Sequence, residues 1–238
     1  MSASHLTLAD IILLAALVVI APLYSCFAGA RIAAGYAPAR TSAYARTIAS
    51  WWLIAITTLF AWWYLGRPLG ALGLRLPFDA RSVAGVALCV LMLAYMNGQW
   101  RALKRLTPDK LERVAASLGR TVAVLPHTPG EYRWFLTLSA TAGICEELLY
   151  RGYLVAVASP LLTIAGAVVA AALIFGFAHA YQGALGVIKT AGAGLALGVA
   201  YVATGSLLWP IILHTLLDVA GGTLAYRVLR ASARSSGT

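Results

Sequence analysis

Seven stretches of the chain, 8–28, 48–65, 83–96, 134–157, 161–181, 185–203 and 207–229, are apolar almost throughout. A helix needs roughly 20 such residues to cross a ~30 Å hydrocarbon core. The pattern therefore predicts an all-α fold, a polytopic transmembrane helix bundle of about seven to eight spans. The third stretch is short for a span unless it extends toward Trp100, and the fourth carries charges in its middle. Trp51, Trp52, Trp62, Trp63 and Tyr64 bracket the second, as expected of rings settling at both membrane interfaces. The first stretch is too long for a signal-peptide core and has no Lys or Arg before it, which predicts a retained helix.

The longest polar stretch, 97–133, contains Arg101, Lys104, Arg105, Lys110, Arg113, Arg120 and Arg133, which marks it as cytoplasmic. With seven crossings, Arg31, Arg40, Arg46, Arg230 and Arg234 fall on that same side and Arg67, Arg75 and Arg81 on the other. An integral, multi-pass protein of the cell (inner) membrane is expected, N-terminus out and C-terminus cytoplasmic. Within the loop, Thr107, Pro108 and Asp109 form a helix start and Gly119 a stop. Leu111, Val114, Ala115 and Leu118 share one face of that short helix, which suits either an anionic membrane surface or a solvated linker. The chain divides into N-terminal membrane helices with the basic loop (1–133), a polar-bearing set of membrane helices (134–229) and a disordered tail (230–238).

Composition sharpens this picture. Of 238 residues, 61% are hydrophobic and 11% charged, against roughly 45–50% and about 25% in soluble chains. The net charge of +10 is spread between apolar runs rather than along one soluble face, so it reads as a topology signal and nucleic acid is not expected as a partner. The bilayer is. Cys26, Cys89 and Cys145 match no zinc or redox spacing and read as small buried hydrophobes.

An ionisable side chain inside a span costs about 2.5–3.5 kcal/mol on insertion scales, so each needs a partner or a task. Glu146 and Glu147 are followed by Arg151, four residues beyond Glu147, a spacing that closes an ion pair on one helix face. Glu146 points about 100° away and is left over, a candidate general base facing a cavity. His179 ends the fifth stretch, and in the seventh His214 precedes Asp218 by one turn, where the acid can orient the ring or both can hold a water or metal. The first three stretches offer only Asp10, near an end. Glycines at 176, 183, 186, 192, 194 and 198 permit close helix approach. Lys189 is the remaining charge in a span and is expected to snorkel to an interface.

These motifs resemble those of the CPBP family, the CAAX prenyl endopeptidase and bacteriocin-processing (Abi-like) membrane proteins. That pattern runs E-E-x-x-x-R, F-x-x-x-H, then H-x-x-x-N or D. Glu146, Glu147 and Arg151 match the first motif, Phe175 and His179 the second, His214 and Asp218 the third, over roughly 134–229. The resemblance implies an intramembrane endopeptidase acting on a membrane-associated protein or peptide. Glu146 would activate the attacking water, His179 stabilise the oxyanion, and His214 and Asp218 position water or substrate. Glu147, Arg151 and Phe175 would support the site. A divalent metal such as zinc, held by Glu146, His179 and His214, and a metal-free glutamate mechanism both stay open, although the H-E-x-x-H helix of soluble zinc proteases is absent. Asp218 stands where eukaryotic prenyl-protein proteases typically have Asn, so a farnesylated substrate is not implied. The same groups would also serve a proton-coupled transporter or channel, or persist in a non-catalytic immunity or scaffold protein.

Overall fold

The computed structural model describes residues 6–36, 39–75 and 79–235. Its described regular structure is helical: α1 (Leu8–Ala33), α2 (Arg40–Tyr64), α3 (Ala80–Leu103), α4 (Pro108–Ser117), α5 (Pro129–Glu146), α6 (Val155–Phe177), α7 (Ala184–Thr204) and α8 (Leu208–Ser235). Two π-helical segments interrupt the α-geometry, Ala16–Ile20 inside α1 and Glu147–Leu154 between α5 and α6.

Five helical runs are long and apolar enough to cross a membrane: α1, α3, α7, α8 and the continuous run Pro129–Phe177. That run has 49 residues, about 73 Å at 1.5 Å per residue, more than twice a ~30 Å core. It folds back where Thr163 leaves helical geometry (φ 61, ψ 165), just after Pro160. Pro160 withdraws a backbone donor and weakens the helix there. The fourth and fifth apolar stretches are thus two arms of one hairpin without a polar loop. The second stretch forms the 25-residue α2. The third is not short, because α3 continues through Asn97 and Trp100 to Leu103. The last helix runs to Ser235, so the expected tail is helical that far, and 236–238 lie outside the described residues.

Burial is inverted relative to a soluble protein. Leu8, Leu53, Phe60, Leu91, Leu161 and Ile188 are all at least 60% exposed, while Asp10, Ser25, Thr58, Ser139, Glu147, Arg151 and Ser206 are buried. Such a surface is stable only against lipid, and the chain is accordingly an integral multi-pass membrane protein. Lys189 is exposed as well. Of the cysteines only Cys145 is buried, while Cys89 is half-buried and Cys26 exposed. A thiol facing lipid loses nothing by it, which is why burial did not follow from apolarity.

One apolar core unites the two halves of the chain. Leu13 and Leu17 of α1, Ala55 and Trp62 of α2 and Leu72 of the following turn pack with Tyr150, Tyr153, Ala167, Phe175 and Leu207. At its edge Asp10, 1% exposed, accepts both Nη atoms of Arg67 at 2.7 and 2.6 Å and the Tyr153 hydroxyl at 3.1 Å. Asp10 also caps its own helix through Thr7. The short helix α4 docks on α8, with Leu111, Ala115 and Leu118 half-buried. A second capping box, Thr128 with Glu131 and Pro129 at the first turn, fixes where α5 begins.

Glycines set the spacing of α6 and α7. A methyl at Gly176 would lie 2.8 Å from Ala191 Cβ and 2.9 Å from the Val187 carbonyl, and one at Gly198 would lie 2.7 Å from Val168 Cγ1. Gly194 faces Phe175 and Arg151. Gly192 meets nothing within 4 Å, and Gly183 serves the turn before α7 with φ +87.

Candidate active site

The polar groups gather where the π-helical segment begins. All eight residues of Glu147–Leu154 are buried, and so long a π-turn is unusual, since such turns are mostly single and concentrate at functional sites. Glu146 is the last residue of α5, so the two adjacent acids straddle the change of helical pitch. His214 and Asp218 come from α8, which packs beside α5. Gly143 allows that contact, because a methyl there would strike the Thr215 side chain and the Ile211 carbonyl.

Glu147 is the centre of the arrangement. Its Oε1 accepts from Arg151 Nη1 and from His214 Nδ1, each at 2.7 Å. Arg151 reaches on to the Gly194 carbonyl of α7 at 3.2 Å and lies 4.4 Å over the Phe175 ring. The Glu147–Arg151 pair is therefore present as its spacing predicts. Of the two roles open to Asp218, orienting the ring is taken by Glu147, which bonds His214 Nδ1.

With Nδ1 committed to Glu147, the Nε2 edge of His214 faces the two other acids. Glu146 Oε2 is 3.9 Å from Nε2 and Asp218 Oδ2 is 3.8 Å from it, both beyond direct hydrogen bonding. Glu146 is 5% exposed and its Oε2 has no hydrogen-bond partner. The Asp218 side chain is 38% exposed and lies at the open edge of the cluster.

His179 approaches from the end of α6. Its Nδ1 bonds to the Phe175 carbonyl at 2.8 Å. A carbonyl only accepts, so this nitrogen carries the hydrogen and Nε2 is the edge left to the site. The Phe175 ring contacts both histidines, 4.6 Å from His179 and 5.8 Å from His214 by ring centroids. The turn after His179 is pinned to α1, where the Tyr181 amide donates to Ser25 Oγ at 3.0 Å and Tyr181 crosses Gly29.

Glu146, Glu147, Arg151, His214 and Asp218 thus share one cluster, with Phe175 against it and His179 against Phe175. Among the described residues no three His, Cys, Asp or Glu side chains are gathered so as to hold a metal ion. Sequence reasoning missed the support supplied by Ser25 and Gly29, whose only signal was small residues one turn apart on the first span. It also missed Tyr150, buried against Phe175 at 5.1 Å with an unpartnered hydroxyl.

Acids, histidines and an arginine converging inside a polytopic α-helical bundle define a membrane protein with an enclosed polar site. Residues 128–220, the segment that carries all three motifs, match the model of the family described as Type II CAAX prenyl endopeptidase Rce1-like. No curated protein and no solved structure matches the chain.

Proposed function

We propose that this chain is an intramembrane endopeptidase that hydrolyses a peptide bond of a membrane-associated protein or peptide, with Glu146 activating the attacking water. The family of residues 128–220 supports an intramembrane protease role. The observation that carries the mechanism is the Glu146 carboxylate, buried, with Oε2 unbonded and turned toward His214 Nε2. A water beside Nε2 lies within reach of Glu146 and Asp218 together, and a base must stand at such a distance from the proton it takes. Glu146 removes the proton as the oxygen adds to the carbonyl, then returns it to the leaving amine. Glu147 fixes the His214 ring and is itself fixed by Arg151. His179 already donates from Nδ1 to Phe175, so it stabilises an oxyanion through Nε2 only as the imidazolium.

The helices alternate in this reading, with the N-terminus outside and the basic 97–133 loop and C-terminus in the cytoplasm. The charge distribution supports it, as does the pairing of Arg67 with Asp10, which puts the start of α1 and the end of α2 at one membrane face.

The test compares peptide termini in membranes of cells carrying wild-type or Glu146→Gln protein. Termini that vanish in the variant, with the protein present in equal amount, are expected and name the substrates. Termini that persist unchanged would remove Glu146 from the chemistry.

A further inference from the structure

Arg75 and Arg81 converge on one point of the backbone at the end of the bundle away from the basic loop. A methyl built on Gly205 would collide with Arg75 Nη2 and sit 3.3 Å from Arg81 Nη1. Arg75 Nε donates to the Gly205 carbonyl at 2.6 Å, which fixes the guanidinium and leaves its outer edge free. The loop beneath is stitched in place, Ser206 Oγ donating to the Arg75 carbonyl at 2.6 Å and the Leu207 amide to the Gly73 carbonyl at 3.0 Å. Both arginines, with Tyr201, line a cavity of about 290 Å³.

Nothing in the described protein neutralises this pair. Among the described residues no carboxylate lies within ion-pair distance of either guanidinium. The nearest acid in sequence, Asp79, caps α3 through the Arg81 amide. Two like charges, Arg75 on the braced loop and Arg81 in the first turn of α3, on the face where positive charge is disfavoured, call for an anion. Ile164 (51% exposed) and Val202 (43%) line the same cavity, and Leu161 (74%) stands close by in the hairpin turn. An apolar surface adjoining a bidentate cationic site suits a headgroup with its acyl chain attached.

We propose that Arg75, Arg81 and Tyr201 bind the phosphate of an anionic phospholipid in the leaflet opposite the basic loop. The site is independent of the proteolytic reading, since none of its residues touches the acid and histidine cluster. Purified protein in dodecyl maltoside is melted with phosphatidylglycerol, phosphatidylcholine or inorganic phosphate. Four proteins are compared: wild type, Arg75→Gln/Arg81→Gln, Arg81→Gln alone, and Lys104→Gln/Arg105→Gln, which removes the same charge from the basic loop. Phosphatidylglycerol should raise the melting temperature more than phosphatidylcholine in wild type and in the loop variant. At least half of that increment should be lost in Arg75→Gln/Arg81→Gln. Should the double variant not fold, Arg81→Gln alone keeps the Arg75–Gly205 bond and gives the same reading. An increment undiminished in the arginine variants overturns the site. An equal increment from inorganic phosphate, lost in those variants, overturns the lipid and assigns a free anion.

Discussion

Replacing Glu147 with Gln removes one charge from the most enclosed point of the cluster. Glu147 is fully buried and its Oε1 accepts from two groups at 2.7 Å. In the variant Arg151 keeps its charge at 2% exposure, with only neutral acceptors, the Gln amide oxygen and the Gly194 carbonyl, beside it. Stranding one member of a buried pair costs about 3–5 kcal/mol, a fall in melting temperature on the order of 10 °C for a chain of this length. Arg151→Met should cost a similar amount, because it strands the carboxylate, although His214 still holds Glu147. Combining Glu147→Gln with Arg151→Met should recover part of the loss, as coupled sites are non-additive. Glu146→Gln should fall by no more than about 1 kcal/mol, since its Oε2 makes no hydrogen bond to lose. Thermal melting in detergent, with peptide cleavage followed on the same samples, separates the roles. If Glu146→Gln melts below both pair variants while Arg151→Met keeps full activity, base and brace have been assigned the wrong way round.

Gly176→Ala should destabilise by about 1–3 kcal/mol through overpacking, since its methyl meets the Val187 carbonyl at 2.9 Å, whereas Gly192→Ala has open space and should be neutral by melting. Alkaline phosphatase fused at Lys110 should be inactive and a cytoplasmic fluorescent reporter at the same place active; phosphatase activity there would contradict the orientation.

The helices and the motif residues were legible in the sequence because apolarity and i,i+4 spacing are local. The Glu147–Arg151 pair follows from four residues of helix, while the Glu147–His214 bond joins positions 67 apart and leaves no local trace. Asp218, one turn from His214, is the acid that local spacing offers to the ring, while the shorter bond comes from Glu147 on another helix. The extension of α3 toward Trp100 stood only as a condition, because Asn97, Gly98 and Gln99 break the apolar run without breaking the helix. Asp10 read as an isolated charge and Arg67 as a topology signal, since nothing in either neighbourhood announces the other. A change of helical pitch at Glu147 has no signature in the spacing of Glu147 and Arg151, which pair at i,i+4.

The core described above fixes how far the recognisable part of the chain can stand alone. Sequence likeness begins at 128, but Leu17 and Trp62 fill the space around Tyr153, and Asp10 holds its hydroxyl. Excising the first 127 residues would open the flank of the π-helical segment to lipid and leave a polar hydroxyl facing hydrocarbon. The edge of the matched segment is therefore not an edge along which the molecule can come apart. The motif-free helices are held by the shape they present inward, Ser25 and Gly29 against the turn after His179 and Asp10 against Tyr153.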